Sequence, residues 1–304
     1  MNAPILLAGT NCLLNPGVSL SNYTSYRVGG EAQWFVEPRN TDDLSAIFQW
    51  WQTQDIPLTL LGAGSNLLIS DQGLPGLVLS TRYLRHSTFD HETSQITAGA
   101  GEPLPKLAWR AAKRGWRGLE WAVGIPGTVG GAVVMNAGAH QGCIADSLVK
   151  AVVLSPNGTI ETVTAEALQY SYRTSALQGD RRLVLEATFQ LQSGFAQQDV
   201  MADTTHHLHH RKNTQPYDRP SCGSVFRNPK PYAAGWLIEQ LGLKGYAIGD
   251  AQISQRHANF IINRGQAKAE DILTLIRYVQ EEVSHRWSLL LEPEVKILGK
   301  FEVV

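Results

Sequence analysis

The sequence predicts an α+β chain, with helices and strands mixed but without the alternating crossovers of a doubly wound sheet. Two observations carry this. The glycine loop Gly62-Ala63-Gly64-Ser65-Asn66 runs out of a strand over Leu58–Leu61 and into another apolar strand over Leu67–Ser70, closed by a turn at Asp71-Gln72-Gly73. A dinucleotide fingerprint needs a third glycine where Leu67 stands, and a helix after it. No Gly-Lys-Ser/Thr follows, so a P-loop is excluded too. The second observation is length: 304 residues are enough for two domains, each with its own core.

The elements follow in order. Leu13–Val18 reads as an irregular lead-in. Tyr23–Gly30 is a polar-aromatic loop ending in a glycine turn. Trp34–Val36 is a short strand stopped by Pro38. Thr41 is expected to cap a helix, with Asp42 and Asp43 favoured in its first turn by the helix dipole. Leu44, Ile47, Phe48 and Trp51 then share one apolar face. Leu77–Leu79 and Gln95–Ala98 are strands. Leu104, Leu107, Ala108 and Ala111 form a helical face ended by Gly115. Leu148–Leu154 and Gly158–Val163 read as a hairpin through Pro156-Asn157-Gly158. Tyr170–Ser175 is a polar loop, and Val184–Leu191 an alternating strand. A boundary is placed near Ser193-Gly194, where the composition changes. Gln197–Lys212 is a polar helix, followed by a hydroxyl-rich loop over Pro220–Pro229. Gly235–Leu241 is a short helix, and Phe260–Ile262 a strand. Ile272, Leu275, Ile276, Val279 and Val283 form the strongest amphipathic helix. Leu291–Leu298 closes the sequence as a strand.

Composition excludes several classes. With 26 basic and 27 acidic residues, no basic excess points to nucleic acid or an anionic membrane. Cys12, Cys143 and Cys222 are odd in number and far apart, which fits a reducing, cytoplasmic setting better than a disulfide framework. The start Met1–Leu7 lacks a basic region and a signal-length apolar run. No stretch of about 18 apolar residues occurs. His206 and His210 stand at i, i+4, but no Glu lies between them in a metalloprotease pattern. A solvated face is expected there, and no metal.

Chemistry concentrates in glycine. Gly124–Gly138 holds five glycines, one proline and no charge. Such backbone approaches a ligand closely, and its N–H groups form an anion-binding nest without a cation. Glycine content alone fits a tight turn between core strands equally well. A second loop at Gly62–Leu67 suggests a diphosphate held between the two. Arg173, Ser224, Asn228 and Glu294 stand out as polar sites in apolar or glycine surroundings. Taken singly they fit a surface arginine, a turn residue, a cap and an edge-strand charge. Gly223-Ser224 is not a nucleophile elbow, because Gly-x-Ser-x-Gly is absent.

Together these motifs resemble the UDP-N-acetylenolpyruvoylglucosamine reductases, flavin enzymes of peptidoglycan precursor synthesis. The resemblance runs from about Tyr23 to Val304. It rests on Tyr23-Thr24 with Arg27–Gly30, Leu61–Leu68, Gly124–Ala132, Met135–Ala139, Tyr172-Arg173, Pro220–Pro229, His257–Phe260 and Glu292–Val295. The glycine motifs alone are shared with the wider vanillyl-alcohol-oxidase class. Gly-Ser-Val-Phe-Arg-Asn-Pro and Glu-Pro-Glu-Val narrow the match.

The resemblance implies a lead-in over 1–22, an FAD-binding part of two α+β subdomains over 23–195, and a substrate-binding α+β domain over 196–304. The short span between Gly138 and Tyr172 implies the subclass without a substrate-covering tyrosine loop. FAD is implied to be non-covalent, since neither glycine loop holds a histidine. Its contacts are implied at Tyr26, Arg27, Gly62, Ala63, Gly64, Ser65, Asn66, Leu67, Gly124, Ile125, Pro126, Gly127, Thr128, Gly130, Gly131, Ala132, Asn136 and Gly138. Substrate contacts are implied at Tyr172, Arg173, Gly223, Asn228, His257, Asn259 and Glu294. NADPH is implied as reductant, and a UDP-N-acetylglucosamine enolpyruvyl ether as substrate. Arg173 and Glu294 are implied to stabilise an enolate-like intermediate, and Ser224 to protonate it. Thr214 stands where some members carry a basic residue, and Glu31 where proline is usual. A monomer is the default. The alternatives are an oxidase on the same flavin scaffold, which would not need Ser224, and a nucleotide sensor without turnover.

Overall fold

A computed structural model of the chain describes residues 3–302. It opens with β1 (Ile5–Leu6), β2 (Leu13–Ser19), β3 (Glu31–Val36), α1 (Thr41–Gln52), β4 (Leu58–Leu61), β5 (Leu67–Ile69), β6 (Leu74–Ser80), β7 (Ser87–Asp90) and β8 (Gln95–Gly99). The middle holds α2 (Leu104–Ala112), α3 (Val129–Met135), β9 (Gly138–Ala139), β10 (Gly142–Cys143), β11 (Leu148–Leu154), β12 (Ile160–Thr164) and β13 (Leu183–Gln190). It ends with α4 (Gln197–Thr214), α5 (Ala234–Gln240), β14 (Ala247–Ile248), β15 (Ala251–Ile253), β16 (Ile261–Asn263), α6 (Ala269–Trp287) and β17 (Lys296–Leu298).

Backbone packing divides the chain into two compact units. One comprises Met1–Pro16, Trp34–Ala63 and Gly76–Arg211; the other comprises Gly17–Gln33, Gly64–Pro75 and Lys212–Val304. This division departs from the expected cut at 196. The reasons are long-range pairings that no local pattern announces. β5 pairs in parallel with β17, Leu67 opposite Lys296, so the residues after the first glycine loop join the C-terminal unit. Tyr26 is wholly buried in the same core as Cys222, Leu237 and Ile276. Most of α4 belongs instead to the first unit.

The first unit has two cores. α1 lays Leu44, Ile47, Phe48 and Trp51 against Leu14, Trp34, Val36, Leu77 and Leu79, as its period predicts. The strand order there is β1-β2-β3-β6-β4, with β4 and β6 parallel. The second core lies under the antiparallel sheet β12-β11-β13-β8-β7, covered by α2 and α3. In the other unit, α6 buries Ile272, Leu275, Ile276, Val279 and Val283, none more than 1% exposed, in one core with Ala251, Ile253 and Ile261. Burial of each such side chain is worth about 1.5–3 kcal/mol.

Four local expectations are corrected. Leu13–Val18 is not irregular but lies in β2, and among the described residues β1 pairs with Leu13 and Leu14, before Pro16. The cap of α1 is Asn40, whose Oδ1 accepts the Asp43 N–H at 2.8 Å; Thr41 is the first helical residue. The glycine-rich centre contains a helix, α3, capped by Thr128. Its two glycines hide it from a propensity reading. Packing rescues it: Val129 and Val133 are fully buried, and Gly130 brings its N–H to the Ala100 carbonyl at 2.9 Å. Finally, the last strand begins only at Lys296, and Glu294 sits in a bend before it.

Candidate active site

In the first unit, the two glycine stretches meet at Gly62 and Thr128. A Cβ on Gly62 would stand 2.8 Å from Thr128 Oγ1, so only glycine allows this approach. Ala63, Pro126 and Gly131 are exposed; Ile125 and Gly127 are half-buried. Gly124, Gly130 and Ala132 are buried and serve the packing of the loop and α3. This surface is small-chained and uncharged. It fits a cofactor with a diphosphate spine, because main-chain N–H groups reach anionic oxygens without a side chain in the way.

The Tyr170–Ser175 loop is stitched to the end of α3. Tyr170 Oη donates to the Val133 carbonyl at 3.0 Å, and Ser175 Oγ to that of Val134 at 2.6 Å. Asn136, at φ 44°, donates from Nδ2 to the Ser171 carbonyl at 2.9 Å and accepts from the Ala145 N–H at 3.1 Å. One end of its amide therefore holds the loop, and the other holds the turn that follows β10. Arg173, at φ 55°, donates from Nη2 to the Gly138 carbonyl at 2.6 Å and lies 5.2 Å from the centre of the exposed Tyr172 ring. A Cβ on Gly138 would stand 2.6 Å from the Gly142 carbonyl and 2.8 Å from Cys143 Cβ, which accounts for that glycine; the Arg173 guanidinium lies next, at 3.1 Å.

In the other unit, Ser224 and Glu294 are brought together through their neighbours. The Glu294 N–H donates to the Val225 carbonyl at 2.7 Å and the Arg227 N–H to that of Glu292 at 2.9 Å, with Phe226 opposite Pro293. Asn66 joins the same ribbon: its Nδ2 donates to the Glu294 carbonyl at 3.0 Å, and its own carbonyl accepts from Lys296 at 2.9 Å. Gly64 is held at φ 62°, where a Cβ would run into the Tyr23 carbonyl. Its own carbonyl accepts the Ser25 N–H at 3.1 Å. Ser65 and Leu67 are half-buried beside it. Buried Cys222 backs this loop, donating to the Leu67 carbonyl at 3.3 Å, and burial pushes its thiol up to about 12.

The other expected contacts differ in kind. Tyr26 has no exposed surface, and among the described residues its buried hydroxyl has no hydrogen-bond partner; it is a core residue, and burial holds its hydroxyl well above the usual phenol range. Arg27 is exposed at φ 57° in a turn closed by its N–H to Thr24. Asn228 caps α5, its Oδ1 accepting the Ala234 N–H at 2.9 Å. Gly223, at φ 78°, has nothing within 4 Å of where a Cβ would lie. The half-buried His257 accepts the Asn259 N–H at Nδ1, 3.2 Å away. Asn259 is only 3% exposed, and its side chain is engaged with the Phe226 backbone.

Sequence reasoning missed His140. It lies in the β9–β10 turn at φ 50°, its ring 4.4 Å from that of His207 and 5.4 Å from that of His210. Thus His207 and His210 face a partner 67 and 70 residues away in sequence, and the i, i+4 pair His206–His210 is not the operative one. Burial, then His207 and Arg211, bring His140 down to about 4. Among the described residues, no group of three or more His, Cys, Asp or Glu is arranged to hold a metal.

Residues 215–298 match the family model described as UDP-N-acetylenolpyruvoylglucosamine reductase, C-terminal domain, and residues 32–164 match the FAD binding domain. The UDP-N-acetylenolpyruvoylglucosamine reductase of Trichormus variabilis is 63% identical over 298 residues, covering 98% of this chain and 90% of the relative. The chain belongs to the UDP-N-acetylenolpyruvoylglucosamine reductase family. That of Synechocystis sp. is 62% identical over 300 residues, covering 98% of this chain and 94% of the relative. The crystal structure of the reductase from Thermus caldophilus is similar with a TM-score of 0.80 at 37% identity, covering 94% of this chain and 99% of that one. As a member of this reductase family with an FAD binding domain, the chain is an FAD-dependent oxidoreductase, and its α+β class stands as expected.

Proposed function

We propose that this chain reduces the enolpyruvyl ether of UDP-N-acetylglucosamine-enolpyruvate to UDP-N-acetylmuramate for peptidoglycan precursor synthesis, with NADPH as reductant and FAD bound non-covalently. The observation that carries the reading is the ribbon joining the Ser224 loop to the Glu294 bend, found in a chain more than 60% identical to named reductases over nearly its whole length. When bound, FAD supplies the hydride. Gly62, Ala63, Gly64–Asn66, Ile125–Thr128 and Gly131 are the residues proposed to hold it. Three cysteines without disulfides fit a cytoplasmic site of action.

Hydride addition at the terminal vinyl carbon leaves negative charge on the adjacent carbon and its carboxylate. That charge calls for preorganised donors in a site that excludes water. Arg173 is assigned as one such donor; its anchor on the Gly138 carbonyl fixes where the guanidinium points. Glu294 is assigned to the same intermediate. Ser224 delivers the proton, a task within a hydroxyl's reach only when the carbanion is strongly basic and a nearby cation stabilises the alkoxide left behind.

Ser224→Ala tests this. Flavin reduction by NADPH should stay near the parent rate, while flavin reoxidation by the enolpyruvyl substrate falls about 10²–10⁴-fold, the usual scale of general acid catalysis. Ser224→Cys should retain more activity than Ser224→Ala. Stopped-flow flavin absorbance follows each half separately. Reoxidation of Ser224→Ala at the parent rate would make the serine a turn residue and end the assignment.

A further inference from the structure

The segment that carries Ser224 is held from two sides. Glu292 and Glu294 grip one side through their main chains, as described above. On the other side stands Asn259. Its carbonyl accepts the Val225 N–H at 2.8 Å. Its Oδ1 accepts the Phe226 N–H at 2.9 Å, and its Nδ2 donates to the Phe226 carbonyl at 2.8 Å. The amide acts as a detached peptide group, pairing donor to acceptor and acceptor to donor, as a neighbouring strand would. Asn259 and Phe226 are 3% and 2% exposed, so water does not compete for these bonds. Asn259 is itself fixed, because His257 Nδ1 accepts its main-chain N–H at 3.2 Å.

This clamp lies two residues from Ser224. On the opposite flank, Gly223 has open space where a side chain would be. Beyond it Cys222 is buried, so the fixed points nearest Ser224 are Cys222 on one side and the Asn259-bound Val225 and Phe226 on the other. Of the common replacements, aspartate keeps the acceptor and loses the donor, leucine loses both, and glutamine is one methylene too long. We infer that Asn259 is a positioning residue that orients Ser224 and registers it against Glu294, rather than a contact for the sugar nucleotide. The inference rests on the proposed role of Ser224 as proton donor.

The test uses NADPH-reduced holoenzyme mixed with the enolpyruvyl substrate. Asn259→Leu and Asn259→Asp should each lower the reoxidation rate constant at saturating substrate by about 10- to 100-fold, the scale of a misplaced reacting group. Substrate affinity should hold within about threefold, and reduction by NADPH within about twofold, since neither depends on the hydroxyl's direction. Deuterium uptake by a peptide spanning residues 223–229 should rise in both variants. The deciding measurement is Asn259→Leu placed on Ser224→Ala. With no hydroxyl left to orient, the second change should alter reoxidation by less than about twofold.

An equal loss in the parent and in Ser224→Ala would make Asn259 a general structural residue and overturn the inference. So would weakened substrate affinity with an unchanged saturating rate, the signature of a direct contact. If Asn259→Leu loses its flavin or fails to fold, Asn259→Asp, which keeps one of the two bonds, carries the same cycle. Failure of the proton-donor reading is recognised separately, by parent-rate reoxidation in Ser224→Ala alone.

Discussion

Gly64 and Gly223 flank the chemistry with the same left-handed backbone, φ 62° and 78°, but in opposite surroundings. At Gly223 an added methyl meets nothing; at Gly64 it meets the Tyr23 carbonyl. Gly223→Ala should therefore lower unfolding free energy by about 1–2 kcal/mol, the cost of the left-handed region alone. Gly64→Ala should cost more than that, and should also lower the FAD retained through purification. Urea unfolding and flavin-to-protein absorbance ratios check both, and equal losses would show that the Tyr23 carbonyl simply gives way. Residue types were readable in the sequence at this scale, but not their partners. Asn136 and Asn259 both look like polar side chains awaiting a ligand. In the fold, both ends of each amide are used on backbone, because buried peptide groups need partners and an asparagine side chain offers a donor NH2 at one end and an acceptor oxygen at the other.

The β9–β10 turn and α4 form the element most open to pH. His140 is held down to about 4, and His207 shifts the same way, chiefly through burial. The groups facing His140 are His206, His207, His210 and Arg211; Glu120 and Asp203 pull His207 back upward. Between its ordinary value of 6.5 and about 4, an unfolded chain binds a proton that the folded His140 refuses. Stability should therefore fall as pH is lowered through that window and level off below it. The midpoint of urea unfolding should drop from pH 7 to pH 4.5, and His140→Phe should flatten that drop. An unchanged pH slope in the variant would place the effect elsewhere. Turnover should survive exhaustive chelation, since the proposed chemistry uses flavin and side chains; loss on chelation with recovery on added zinc would assign the histidines to a metal. Neither α3 nor this cluster was foreseen. A helix with two adjacent glycines violates propensity and exists because Gly130 packs on Ala100, a contact 30 residues distant.

For the molecule as a whole, the expected cofactor behaviour is that FAD leaves on acid or heat denaturation, because neither glycine loop holds a histidine to tether it. Flavin remaining on the denatured chain after gel filtration in denaturant would contradict this. Among the described residues, no helix is long and apolar enough to cross a membrane.

By itself the sequence determined the amphipathic helices α1, α2 and α6, the β11–β12 hairpin, the two glycine loops and the family, because each is written in local spacing or in side-chain type. Hydrophobic period and turn chemistry act over a few residues, so they survive without the fold. The tertiary structure alone decided what joins what. β5 lies beside β17, and Asn66 reaches the Glu294 carbonyl across 228 positions. The Asp71 carboxylate accepts the N–H groups of Ala269 and Glu270 at the start of α6, at 3.0 and 3.1 Å, where a local reading looks for a cap next to the helix. The physical reason is common to all three. A backbone hydrogen bond needs only a peptide or carboxyl group at the right place, and nearly any sequence can offer one. Which distant segment supplies it is settled by how the cores pack.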